Sequence, residues 1–207
     1  TNWLNLTMKE GLPNNNVNSI AIDSNDNVWM ATDDGVAVYT GTAVTVYNTA
    51  DGLSNNSVNW VAIDPQRNKW FATFFGVSKY DGTSWTNYTH DDGLASYIVM
   101  RIGFDSKGNA WFGTGSGVTK FDGTEWITFT KDDGLVGNYI YSIIEDKTGK
   151  MWFGTDEGLS SYDGTTWTSF TTDDVLPNRY VISIAVDDKN NKWIGTGAYL
   201  MKFDGQN

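Results

Sequence analysis

The chain has no cysteine, three prolines and one histidine in 207 residues. Without thiols there is no disulfide framework, no cysteine-held zinc cluster and no thiol nucleophile. Cysteine-free proteins occur in every compartment, so location stays open on this count. Basic residues are also few: 14 Lys and Arg stand against 25 Asp and Glu, for a net charge of −11. The basic residues are scattered, which argues against a nucleic-acid partner, whose phosphates need clustered Lys and Arg. Acidity suits a solvated surface and leaves cations or basic partners open. No apolar run reaches the roughly 18 residues of a membrane-spanning helix. No leader peptide is visible, but the chain opens on Thr1, as a trimmed or excised segment would, so that absence says little of origin.

What the chain has is periodicity. Trp29, Trp70, Trp111, Trp152 and Trp193 stand 41 residues apart, and a second ladder runs Trp3, Val44, Trp85, Trp126, Trp167 at the same period. A fixed period in the forties marks a stacked or radial repeat fold. Each unit holds four short runs rich in β-branched and aromatic residues, bounded by Gly, Asn, Asp or Ser, and reads as four strands. The first strand ends in an Asp in every copy (Asp23, Asp64, Asp105, Asp146, Asp187), placed to accept from the N–H groups of the polar turn that follows. The second strand carries the first-ladder Trp, then Ala or Gly, then Thr. The small residue suggests close approach by a neighbouring sheet.

These features predict an all-β, five-bladed β-propeller with four antiparallel strands per blade, forming one domain over residues 1–207. The first residues are in phase with a fourth strand, and the last finish a third strand and its turn. Residues 3–7 are therefore expected to supply the outer strand of the last blade and close the ring as a monomer. The alternative is a fragment of a longer array that closes by pairing between chains.

The segment GLVGNYIYSIIEDKTGKMWFGTDEGLSSYDG carries the pattern GL-x(4)-V-x(5)-D-x(5)-W-x-GT, which recurs along the chain. It resembles the two-component regulator propeller repeat of the periplasmic sensor regions of bacterial hybrid histidine kinases. Departures are Ala31 and Ala72 for the motif Gly, Val175 for the Gly of GL, and Tyr199 for a turn Gly. The resemblance implies a bacterial, periplasmic or extracellular propeller. Family sensors carry more blades, a sandwich domain and a membrane helix, so signalling does not follow for this chain, and the repeat type does not fix a role.

An enzyme needs a convergent acid, base or nucleophile. The sole histidine, His90, aligns with Met8, Thr49, Lys131 and Thr172, which reads as an indifferent exposed position. Glu145 is the one acid in an apolar column (Ile22, Ile63, Phe104, Val186), and is expected to lean to solvent. The DDG segments at 91–93 and 132–134 lack the ligand spacing of a calcium loop and read as turns. No catalytic residue, metal site or cofactor is assigned.

Divergence between copies is the stronger signal. After each Trp-x-(Gly/Ala)-Thr come Asp-Asp, Phe-Phe, Gly-Ser, Asp-Glu and Gly-Ala. Phe74 and Phe75 are unusual in such a turn. Around the first strands lie Trp60, Tyr97, Arg101, Tyr139, Tyr141, Arg179 and Tyr180, with Tyr199 at the last turn. Rings offer stacking surfaces and Arg a planar fork of donors; the bland alternative is that these aromatics fill gaps between blades. The expected function is a non-catalytic, sensor-type module that binds a small polar ligand or glycan on one face through Phe74, Phe75, Trp60, Arg101, Tyr139, Tyr141, Tyr180 and Tyr199. The alternatives are a protein-interaction scaffold, an amplified or engineered repeat with no evolved ligand and, least favoured, a propeller lyase or hydrolase.

Overall fold

The computed structural model describes residues 3–205. They form five antiparallel sheets, each with its strands in chain order. The first sheet holds β1 (Val17–Ile22), β2 (Val28–Thr32), β3 (Gly35–Tyr39) and β4 (Val44–Tyr47). The second holds β5 (Val58–Ile63), β6 (Lys69–Thr73), β7 (Gly76–Tyr80) and β8 (Trp85–Tyr88). The third holds β9 (Val99–Phe104), β10 (Ala110–Thr114), β11 (Val118–Phe121) and β12 (Trp126–Phe129). The fourth holds β13 (Ile140–Glu145), β14 (Met151–Thr155), β15 (Leu159–Tyr162) and β16 (Trp167–Phe170). The fifth has three strands, β17 (Val181–Val186), β18 (Lys192–Thr196) and β19 (Leu200–Phe203). Residues 3–7, expected as its outer strand, belong to no strand, and Trp3 is 88% exposed.

The chain divides into two compact units. One runs to Asp91 and includes Tyr97–Val99; the other comprises Asp92–Ser96 and the chain from Met100 onward. In the first unit, Trp29, Ala31 and Val36 of the first sheet pack on Val58, Val61 and Phe71 of the second. Trp29 also stacks on Tyr47 at 6.1 Å between centroids. In the second unit the same wedge recurs: Trp111 packs with Ile140 and Phe153, and Trp152 with Val181 and Ile184. The small residue after the Trp has the expected reason: a Cβ on Gly113 would lie 2.7 Å from Ile140 of the next sheet.

The repeated Asp and Trp form one device. The Trp29 indole N–H donates to Asp23 at 3.0 Å, and the bond recurs at Trp70–Asp64 (2.8 Å), Trp111–Asp105 (3.0 Å), Trp152–Asp146 (2.9 Å) and Trp193–Asp187 (3.0 Å). The other carboxylate oxygen takes the turn's own N–H groups, as Asn25 and Asn27 donate to Asp23. Burial pushes the Asp23 carboxyl up, but bonds from Trp29, Asn27 and the turn outweigh it and hold the pKa at about 2. A side-chain donor from Asn27, Asn68, Asn109 or Asn191 completes four copies. The fourth copy has Lys150 at that position; there Lys192, from the next sheet, forms a buried ion pair with Asp146 at 2.8 Å.

Second-ladder tryptophans close the second, third and fourth sheets. Trp167 stacks on Tyr162 at 4.7 Å and meets Phe153 and Phe129 at 5.3 and 5.4 Å. The Gly of each GL pair makes room: a Cβ on Gly52, Gly93 or Gly134 would fall 2.8, 2.7 or 3.0 Å from Trp85, Trp126 or Trp167. Where Val44 breaks the ladder, the opposing Gly11 is less crowded, at 3.4 Å.

Candidate functional site

The loops before β5, β9 and β13 are tied to the turn between second and third strands of the preceding sheet by backbone bonds. Gly35 N–H donates to the Asn56 carbonyl, Gly76 to Tyr97 and Gly117 to Asn138, at 2.6, 2.6 and 2.8 Å. In the turns of the first four sheets a buried Thr hydroxyl, as in Thr73 and Thr155, donates to the glycine carbonyl three residues on. Across these three loops the backbone platform is the same, while the side chains on it differ.

Asn15, Asn56 and Asn138 hold one position in this loop, and each accepts from the backbone N–H seven residues earlier, at 2.9 Å. Asn56 also donates to Asp34 in the adjacent turn. At the equivalent places stand Tyr97 and Phe75, so a hydrogen-bonded polar pair becomes a ring stack, with centroids 5.2 Å apart and planes 16° apart. The His90 ring stacks on the other neighbour of this row, 5.3 Å from Tyr97. The Tyr97 hydroxyl donates to Asp91 at 3.2 Å, and that bond pushes the phenol's pKa up. Phe74, Phe75 and Tyr97 are 48%, 49% and 40% exposed, so the row faces solvent. His90 is exposed, as expected, and its ring contact with Tyr97 is what the sequence did not show. Trp60 lies in β5 opposite Ala72, half-buried.

The second unit has its own group. Tyr139 and Tyr141 rings are 4.9 Å apart. Burial, then Tyr139, Asp156 and Tyr180, push the Tyr141 phenol up, with Arg179 opposing, which places all five side chains in one electrostatic neighbourhood. Arg179, in the Asn column, lies over the Tyr180 ring at 4.5 Å and donates to its hydroxyl. Asp156, missed in the sequence, exchanges bonds with the Tyr139 backbone. Arg101 is anchored to the backbone: its Nε donates to the Tyr141 carbonyl at 2.7 Å and a terminal nitrogen to the Met100 carbonyl at 2.8 Å, and burial lowers its pKa. Tyr199 is half-exposed at the β18–β19 turn, its backbone held by Thr196.

Two other expectations resolve locally. Glu145, expected to lean to solvent, is half-buried and accepts from the Ser106 N–H and hydroxyl in exposed bonds, both at 2.8 Å, tying two neighbouring turns. The Lys131–Asp133 segment is a single 3-10 turn with Thr130 and Asp133 as a capping box and Gly134 at φ +110°. Among the described residues no three His, Asp or Glu side chains are grouped to hold a metal ion.

Five sheets of short antiparallel strands in meander order, with tryptophan wedges repeated between them, define a propeller-type repeat protein. Residues 11–34 and 134–157 match the two component regulator propeller family. No curated protein matches the chain in sequence. Among solved structures it is similar to the extracellular domain of a protein described as a hybrid two component system from B. thetaiotaomicron, with TM-score 0.84 and 26% identity over 98% of this chain and 30% of that one. A second such extracellular domain from the same bacterium gives TM-score 0.77 and 20% identity over 91% of this chain and 27% of that one. A streptogramin B lyase gives TM-score 0.76 at 13% identity, over 93% of this chain and 66% of that one, a likeness of fold alone. The chain spans about a third or less of the length of these two extracellular domains. The expected periplasmic or extracellular location agrees with these two domains, and no helix among the described residues is long and apolar enough to cross a membrane.

Proposed function

We propose that residues 1–207 act as one non-catalytic, sensor-type propeller domain of five repeats, whose fifth sheet is completed by a strand of the Trp3–Thr7 type. Its loop edge recognises a small polar ligand or glycan. One observation carries the ligand reading: an exposed row, Phe75–Tyr97–His90, stands where the repeat before it keeps the structural polar pair Asn56–Asp34. Flat ring faces suit the C–H face of a pyranose, and the Asp91 carboxylate beside them accepts hydroxyl protons. The Tyr139, Tyr141, Arg179 and Tyr180 group of the second unit adds a cationic fork beside rings, which suits a carboxylate-bearing ligand.

The test is a calorimetric screen of neutral and acidic sugars and small carboxylates. Hits are retested on Phe75→Ala with Tyr97→Ala, and separately on Arg179→Ala with Tyr180→Ala. Loss of a buried stacking face weakens binding by roughly tenfold at one group and leaves the other unchanged. A ligand that binds all variants equally, or silence across the panel, rejects the reading.

A further inference from the structure

Between the first and second sheets, inside the first unit, four aromatic rings form one continuous chain. Trp29 of β2 stacks on Tyr47 of β4 at 6.1 Å, Tyr47 meets Tyr80 of β7 at 5.5 Å, and Tyr80 stacks on Trp85 of β8 at 4.7 Å. Both tyrosines are half-buried and packed against the core that holds Trp29 and Phe71. Burial, and then the Tyr80 hydroxyl beside it, push the Tyr47 phenol up, so the oxygen ends of the two rings are neighbours. The Tyr80 hydroxyl donates to the Gly82 carbonyl at 2.8 Å, in an exposed turn, which gives its proton a short way to solvent.

The packing asks for two rings here, not for two hydroxyls. At the same two places in the second unit stand Phe129 and Tyr162, 5.2 Å apart, and Phe170 and Phe203, 5.4 Å apart. The 41-residue register puts Tyr88 and Phe121 at these places in the second and third repeats. Only Tyr47 and Tyr80 are both phenols. We propose that they form a modification site: a dityrosine bridge that links the first sheet to the second when the protein meets a one-electron oxidant, the class that a peroxidase with hydrogen peroxide supplies. Each phenol gives one electron to the oxidant and one proton to water. The unpaired spin of each phenoxyl lies partly on the ring carbons next to its oxygen, and two such carbons, one from each ring, form the new bond. Their ring hydrogens then move to the phenol oxygens and restore both rings, so the net loss is two electrons and two protons. Trp85, stacked on Tyr80, gives the electron a route out when the oxidant meets the outer strand first. With no cysteine in the chain, no disulfide serves this purpose.

The test oxidises the full chain with a ruthenium tris-bipyridine complex, light and persulfate, and digests it with trypsin. The expected product keeps the mass of one 23.0 kDa chain and shows dityrosine fluorescence. In it the peptides of residues 10–67 and 80–101 are joined, two hydrogens below their summed mass. The bridge raises the melting temperature by about 5–10 °C, the scale of one covalent link closing a loop of this length. Tyr47→Phe and Tyr80→Phe each remove the bridged product while keeping the parent's circular dichroism. Phe129→Tyr builds the same pair with Tyr162, and adds a bridge between the peptides of residues 121–131 and 151–179. Tyr139 and Tyr141, 4.9 Å apart but two residues apart in the chain, are the internal control. A bridge confined to that pair, or formed only between two chains, overturns the proposal, as does a product joining residues 10–67 to 80–101 that survives Tyr47→Phe.

Discussion

The loops before β9 and β13 share a backbone and differ in what one side chain does. Asn138 accepts from Lys131 N–H and so stabilises its own loop. Tyr97, at the same place, gives that bond up and stacks between Phe75 and His90 in solvent. The Gly76 and Gly117 bonds beneath the two loops are the same. A scaffold position has thus been released from a structural duty in one copy without disturbing its support. Such a trade, a lost scaffold bond beside a gained exposed ring, is the physical sign of selection for something other than stability.

The comparison is broken most severely by removing what both loops stand on. Trp111→Ala deletes a side chain 2% exposed, and leaves Asp105 without its indole donor. It costs about 3–5 kcal/mol in denaturant unfolding. A loss below about 1 kcal/mol would mean the ladder is not the support it looks to be. Next comes Lys192→Met, which strips the buried cation from Asp146. Breaking one side of such a pair costs about 3 kcal/mol, and here the same carboxylate keeps only Trp152 and its turn as partners.

These carboxylates also set the acid limit. Asp23 gives up its proton more readily folded than unfolded, since its folded pKa is about 2. Its contribution is present above the unfolded value, near 4, and is lost as pH falls toward about 2. Unfolding at stepped pH reads this as a fall in stability across that window, and Asp23→Asn flattens part of it. A slope unchanged in the variant would place the acid sensitivity elsewhere.

The scaffold was legible because a 41-residue register aligns five solutions to one packing problem. Asp, Trp and the small residue after it each stand in a column, and a column of unvarying chemistry points to a shared wedge. What the period hid was the bond within it: nothing in the spacing of Asp23 and Trp29 says that a bulged or turned backbone brings the indole to the carboxylate. Among candidate site residues, exposure of Phe74 and Phe75 followed from two apolar neighbours in a turn. Arg101 reads as recognition from its place beside tyrosines, and nothing in its sequence setting signals that two of its donors lie on backbone carbonyls. His90 was discounted because its column varies, yet it varies at the group that Asn138 caps and Tyr97 does not.

The finest test exchanges the two side chains. Asn138→Tyr removes a bond to the Lys131 N–H and costs about 1 kcal/mol, the usual worth of a side-chain cap. Tyr97→Asn gives the third repeat the residue that caps the His90 turn elsewhere, and is expected to be neutral or to stabilise by up to about 0.5 kcal/mol. The same substitution removes the central ring of the Phe75–Tyr97–His90 row, so whatever ligand the row takes is lost. Paired unfolding and binding measurements on the two variants read opposite signs in the two loops: stability falls only where Asn works for the fold, and binding falls only where Tyr has been released from it. If Tyr97→Asn destabilises instead, the ring is serving the fold, and the row is packing that happens to face water.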